Sequence, residues 1–366
     1  MILLVALTLF ILVSLMINSS WISYDNFYFF FKNFGNYITT PDSNIENIIY
    51  DTGNFYDFEL FNGKLAVAGS SGFALYTDSG RTVFKTDETV ASPKIEASER
   101  YMMVYDIGGK EYRIYNLFTE VYAETLSYSI YGASLADDGS YSVITGDGLH
   151  QSSVNVYNDK FELIRSIGRA SYVVDTSLSP SGDRVAVLSY TQSGGQFITK
   201  LYLSKTSKEE GYADISINGC FPLYCSFTEK GDINVVCNDR IVSYNTSGKL
   251  ISEYAFDDGV KILNVDINRY GCAVLLDGEE KNSLIMFDRN GKIIYNNTLT
   301  DSVEDIAVYD GYIYLLEPHQ VVRINASTDE RESAFRDTTG DVTMLVENTE
   351  RVLLCMRSGA KCIEYR

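Results

Sequence analysis

His150 in GDGLHQSS and His319 in LEPHQVV are the only two imidazoles in the 366-residue chain. They lie far apart and show no metal-ligand spacing, so both read as loop residues. Acid–base chemistry would therefore fall to carboxylates. Asp57, Glu96, Asp175, Asp266 and the adjacent pair Glu304 and Asp305 stand at or near the starts of strand-like segments. Hydrolysis of a glycan or lactone would need two of them to converge on one pocket. The doublet Asp137-Asp138 in LADDGS offers oxygens to a hard cation but lacks the D-x-D-x-D-G spacing of a calcium loop. It reads as a turn.

The six cysteines are Cys220, Cys225, Cys237, Cys272, Cys355 and Cys362, with no C-x-x-C among them, which argues against zinc. A two-residue turn at Ser358-Gly359 would set Cys355 opposite Cys362, where a bridge is geometrically possible but not compelled. Buried free thiols are the plainer expectation. In YDIGGKEYR, a turn at Gly109-Lys110 sets Asp106 against Arg113. A turn at Gly108-Gly109 sets it against Glu111, a like-charge pair that disfavours that register. No G-x-S-x-G elbow or H-E-x-x-H helix is present, so no catalytic, cofactor-binding or metal-ligating residue is assigned and no cofactor is expected.

The elements that would position these groups repeat along the chain. ELFNGKLAVA, SLADDGSYSVI, SLSPSGDRVAV, SFTEKGDINVV, DINRYGCAVLL and AVYDGYIYLL each read as strand, polar turn and apolar strand. A unit of about 40 residues with four strands is the signature of a β-propeller. Inner strands are expected to start near Phe55, Ala91, Ile130, Val173, Cys220, Val260, Ser302 and Asp341, which gives eight blades, with seven as the alternative. Second strands such as YSVIT, INVVC and YIYLL are continuously apolar, as suits a strand buried between neighbouring blades. The last unit holds three strands, and NIENIIYDT, residues 44–52, is expected to supply the fourth and close the ring.

Residues 1–17, MILLVALTLFILVSLMI, carry no charge. A helix over residues 1–22 would be about 33 Å long at about 1.5 Å per residue, enough to cross a bilayer. Trp21, Tyr24, Phe27, Tyr28 and Phe29 would sit at the far interface. Asn18-Ser19-Ser20 is a poor cleavage site, so an uncleaved anchor is expected rather than a signal peptide. The division is then a span at 1–22, a tether at 23–43 and a propeller at 44–366, held on the extracytoplasmic side of the cell membrane. The formal charge is −19, and it lies entirely beyond Lys32 because Asp25 and Lys32 cancel. Such a surface repels phosphate backbones and excludes nucleic acid as a partner.

The repeat pattern resembles the quinoprotein-like and WD40-like propellers in general form, without the Trp-Asp dipeptide. Pyrroloquinoline quinone enzymes stack their cofactor on a central Trp, and here the one Trp is Trp21 in the apolar segment. TDSGRTVF, Thr77 to Phe84, partly resembles the Asp-box of sialidases, with Val83 where an aromatic belongs; it reads as a hairpin turn. More specifically, FNGKLAVAGSSGFALYTDSGR, MVYDIGGKEYRIYN, SLADDGSYSVIT and SLSPSGDRVAVLSY resemble a Firmicutes family of single-span propeller proteins known as a domain of unknown function. The resemblance runs roughly from Phe61 to Gly278 and departs in the missing basic tail before the span. It implies topology and no mechanism.

Two functions remain in view. One is a non-catalytic binding or scaffold disc for a protein or cell-envelope glycan, which exposed aromatics on one face would support. The other is a hydrolase using the six carboxylates in a central channel.

Overall fold

The computed structural model describes residues 47–50, 54, 56–77, 79–278, 281–338 and 340–365. The expected span at 1–22 and tether at 23–43 lie outside these residues. Among the described residues no helix is long and apolar enough to cross a membrane.

The chain forms eight four-stranded antiparallel sheets, and the alternative of seven falls. Blade 1 begins with the inner strand Asp57–Phe61, and the inner strands of blades 2 to 8 are Pro93–Ala97, Ile130–Leu135, Tyr172–Leu178, Pro222–Phe227, Lys261–Asn268, Asp305–Tyr309 and Thr343–Asn348. Each start falls within a few residues of its expected place. In blade 8 the outer strand is Asn47–Ile48, paired with Gly359–Glu364, so the ring is closed by the beginning of the propeller. Tyr50 follows, with ring centroids 5.6 Å from Phe58 and 5.8 Å from Tyr56, and ties that junction with aromatic contact.

Burial follows strand position. Second strands such as Tyr141–Thr145 and Ile233–Cys237 are buried at every residue, because each is covered by a blade on both faces. Outer strands such as Glu120–Thr125 and Arg331–Phe335 alternate exposed and half-buried.

Because the strands alternate in direction, one face of the disc carries the inner-strand starts and the turns between second and third strands. The opposite face carries the turns between inner and second strands. Below they are the entry face and the turn face.

Two expected registers are corrected. Tyr105 pairs with Tyr112 and Val104 with Arg113, which extends to Asp106 against Glu111 around residues 107–110. The like-charge cost is avoided because Asp106 turns away and accepts the backbone N–H of Ser92 at 2.7 Å, while Arg113 pairs with Glu120 at 2.9 Å. In blade 8 Cys355 faces Ala360 and Cys362 faces Leu353 around Arg357-Ser358, so the two cysteines are offset rather than opposed.

Candidate functional site

An eight-bladed ring is too wide for inner-strand side chains to fill its centre. The channel left behind holds a cavity of about 700 Å³ lined in part by Glu59, Glu96, Ser134, Ser177, Asp266 and Asp305. A smaller cavity of about 350 Å³ continues towards the entry face between Tyr131 and Tyr224, above Glu96 and Asp175. Of the six expected carboxylates, Glu96, Asp175, Asp266 and Asp305 reach these spaces. Asp57 stands beside them on Lys94, at 2.9 Å. Glu304 does not join them; it pairs with Arg336 at 2.5 Å at the edge of a groove with Tyr56. Glu59, which sequence reasoning passed over, takes its place.

Most of these oxygens are already engaged. Inner strands of neighbouring blades run too far apart for a backbone ladder, and their N–H groups need acceptors. Asp57 accepts the N–H of Ile95, Asp175 that of Cys225, Asp266 that of Val308 and Asp305 that of Met344, at distances of 2.6–2.9 Å. Ser134 accepts from Leu178 at 3.1 Å and Ser177 from Phe227 at 3.0 Å. Side chains thus staple a blade to the next at junctions 1/2, 3/4, 4/5, 6/7 and 7/8, with one such acceptor at each except 4/5, which has two. The inner strands pack more sparsely at 2/3, 5/6 and 8/1.

The carboxylates share the channel with little positive charge, and burial shifts them upward. Burial raises Glu59 to about 7, Asp175 to about 7 and Asp266 to about 6, and it lifts Glu96 well above its ordinary value, with Glu59 and Asp175 adding repulsion. On the turn face, Arg269 of blade 6 reaches to Asp137 of blade 3 at 2.6 Å, with Glu99 of blade 2 at 3.7 Å, and straps that mouth. The LADDGS doublet is thereby accounted for: Asp137 holds Arg269, and Asp138 accepts the N–H and hydroxyl of Ser140 at 2.8 and 3.0 Å.

His150 sits on an exposed entry-face turn with Nδ1 2.7 Å from Asp147, and His319 is exposed on the corresponding turn of blade 7. In TDSGRTVF, Asp78 lies outside the described residues; the N–H of Gly80 donates to the carbonyl of Thr77 in a turn.

The entry face holds a second constellation. The second and third strands of blade 4, Arg184–Ser193 and Gln196–Lys205, have ten residues each, against five to seven in the other blades. At about 3.3 Å per residue, the extra three or four residues lift the hairpin tip by roughly 10 Å. Gly194 and Gly195, with φ of 60° and 82°, form its two-residue turn. Four aromatic rings pack along the projection. Tyr172 stacks on Tyr190 with centroids 5.3 Å apart, Phe221 lies 4.8 Å from Tyr190, and Phe197 lies 5.2 Å from Phe221. Tyr128, Tyr131, Tyr172, Phe197 and Tyr224 are 41–55% exposed, an aromatic rim over blades 3 to 5 beside the open channel mouth.

By sequence the chain belongs to a family of unknown function, DUF5711, whose model matches residues 32–364. No curated protein matches the chain. Among solved structures it is similar to BamB from Moraxella catarrhalis, at 11% identity and a TM-score of 0.57, over 88% of this chain and 99% of that one. It is also similar to the Cps50 (Swd1) β-propeller domain of Myceliophteria thermophila, at 12% identity and a TM-score of 0.53, over 75% of this chain and 96% of that one. Apo AztD from Citrobacter koseri matches at 11% identity and a TM-score of 0.53, over 77% of this chain and 86% of that one. These likenesses show the fold.

Proposed function

We propose that this DUF5711 member is a non-catalytic binding disc, anchored by residues 1–22 on the extracytoplasmic side of the cell membrane, whose recognition surface is the aromatic rim of blades 3 to 5. The observation that carries the reading is the projecting hairpin with its exposed rings. Exposed tyrosine and phenylalanine clusters supply contact area at low entropic cost, and monomeric surfaces seldom carry them without a partner. The partner class is a protein or cell-envelope glycan. The net charge of −19 disfavours nucleic acid. Strand Asn47–Ile48 runs from the turn face towards the entry face, because it is antiparallel to Gly359–Glu364. The described chain therefore enters the disc at the turn face, opposite the rim.

The test is in-cell cross-linking of the full chain and identification of captured proteins and glycans. A specific partner should be recovered with the native chain and fall at least tenfold with Tyr131→Ala/Phe197→Ala/Tyr224→Ala, at an unchanged thermal midpoint. Recovery of nothing above an anchor-only control would sink the reading.

A second reading has one observation in its favour: Glu59, Glu96 and Asp266 share a cavity, and burial raises all three above the ordinary carboxylate range, the direction a general acid needs. Against it, Asp175 and Asp266 are bonded to backbone N–H groups of the next blade, a structural use. Hydrolysis of a glycoside or lactone panel that Glu96→Gln abolishes would favour this reading over the first.

A further inference from the structure

Cys220 and Cys237 lie in one apolar cluster between blades 4 and 5, both almost fully buried. Cys220 sits in the connection entering blade 5, and Cys237 ends its second strand. The N–H of Asn238 donates to the Phe221 carbonyl at 2.9 Å, and the N–H of Phe221 donates to Asn238 Oδ1 at 2.6 Å. Pro222 stands opposite Cys237, so the two cysteines are diagonal neighbours on one side of the pair. The Cys220 thiol donates to the Ile217 carbonyl at 3.7 Å, and the neighbouring Cys237 thiol perturbs it. Cys220 Sγ also lies 3.5 Å from Thr199 Oγ1.

Cys225 belongs to the same cluster, and Cys355 and Cys362 share another, where their strand register offsets them. Cys225 faces Asp175, Cys272 belongs to a core cluster with no second cysteine, and Cys362 Sγ accepts from Arg351 Nε at 2.9 Å.

We propose that Cys220 and Cys237 form a disulfide that fastens the connection carrying Phe221 to blade 5 and so fixes one ring of the aromatic rim. The oxidant is a disulfide of the glutathione or dithiol-oxidoreductase class. The Cys220 thiolate attacks the oxidant's S–S bond and releases one carrier thiol. Cys237, deprotonated, then attacks Cys220 Sγ in the mixed disulfide and releases the second. Two protein thiols lose two electrons and two protons, and one carrier disulfide becomes two thiols. The neighbouring Cys237 thiol is the main cause lowering the Cys220 thiol, which marks Cys220 as the attacking group. Access comes through the connection itself: Asn218 and Gly219 are exposed, Gly219 has φ of 81°, and nothing lies near its missing Cβ.

The disulfide stands independently of the binding reading; only its effect on the rim rests on that reading. The experiment treats the purified full chain with oxidised glutathione, alkylates it under denaturing conditions and digests it with trypsin. Lys230 separates Glu209–Lys230, which holds Cys220 and Cys225, from Gly231–Arg240, which holds Cys237. The expected product is these two peptides linked, still linked in Cys225→Ser and unlinked in Cys220→Ser. Closing this loop should raise the thermal midpoint by roughly 3–6 °C over the dithiothreitol-reduced chain. Recovery of Gly231–Arg240 only with alkylated Cys237, a link that survives Cys220→Ser, or a linked chain with an unshifted midpoint would each overturn the proposal. Failure to capture any partner would overturn the binding reading and leave the disulfide standing; an unlinked pair beside a captured partner would do the reverse.

Discussion

Replacing Glu59 by glutamine should make the protein more stable at pH 8 and leave it nearly unchanged at pH 5. Glu59 lies inside the channel, with Asp57 and Asp266 contributing like charge and Lys94 opposing them. Burial raises its carboxyl from an ordinary 4.5 to about 7. The unfolded chain releases this proton near its ordinary value, and the folded chain keeps it until about pH 7. Below about 4.5 both states are protonated and the stabilisation is fully present. As pH rises through the window the native state holds the extra proton, so stability falls, and above about 7 the contribution is lost. A shift of about 2.5 units corresponds to at most about 3 kcal/mol at 1.36 kcal/mol per unit, less where channel water reaches the group. Because the channel acids titrate as a coupled set, the wild-type loss between pH 5 and pH 8 should exceed this single contribution. Urea unfolding at both pH values reads the difference: the native chain should lose stability on going to pH 8, and Glu59→Gln should recover about 2–3 kcal/mol of it. A wild-type stability that rises from pH 5 to pH 8, or a variant that tracks the wild type throughout, would refute the reasoning.

Asp266→Ala should cost about 1–3 kcal/mol in urea unfolding, since it strands the Val308 N–H that the carboxyl accepts at 2.6 Å. Arg269→Ala should cost at most about 1 kcal/mol, because its bridge to Asp137 is partly exposed, and should speed hydrogen exchange of the turn-face backbone around residues 229–231 and 269–270. Gly195→Ala should destabilise the blade 4 hairpin by about 1 kcal/mol through backbone conformation alone, since φ is 82° and no atom lies within 4 Å of the added carbon; proteolysis at the tip should rise accordingly.

The ring was legible because its physics is local. Apolar second strands, glycine turns and alternating outer strands each leave a mark in sequence, and their recurrence counted the blades. Registers were harder. The Asp106 hairpin was read from the nearest charge pair, whereas the register adopted depends on Ser92, just before another strand, whose backbone N–H donates to the carboxylate. The channel acids were legible as candidates because inner-strand starts could be placed, yet their staple role depends on the distance between blades, which no single segment encodes. Glu59 was passed over because Asp57 already marked that strand. The rim had one visible signal, the Gly194-Gly195 pair between two runs longer than any other hairpin, and its meaning emerges only when Tyr172 and Phe221 from flanking segments pack onto it.

The placement of staples and rim is connected. The rim draws rings from blades 3, 4 and 5, and junctions 3/4 and 4/5 carry Ser134, Ser177 and Asp175 as acceptors for the next blade's backbone. Junction 4/5 has two of them and gains a third bond from Thr199 to the carbonyl of Cys220 at 2.9 Å. At the block's far edge, blades 5 and 6 meet instead through turn-face bonds, such as the Glu229 N–H to the Arg269 carbonyl at 2.9 Å. A surface that binds with preformed rings loses affinity if its supports shift, since ordering them at the moment of binding opposes association. A buried carboxylate beneath a rim is costly to a fold, and here Asp175 serves with Ser134 and Ser177 as an acceptor that keeps three blades in register. The same use accounts for Asp57, Asp266 and Asp305, each of which accepts a backbone N–H of the next blade.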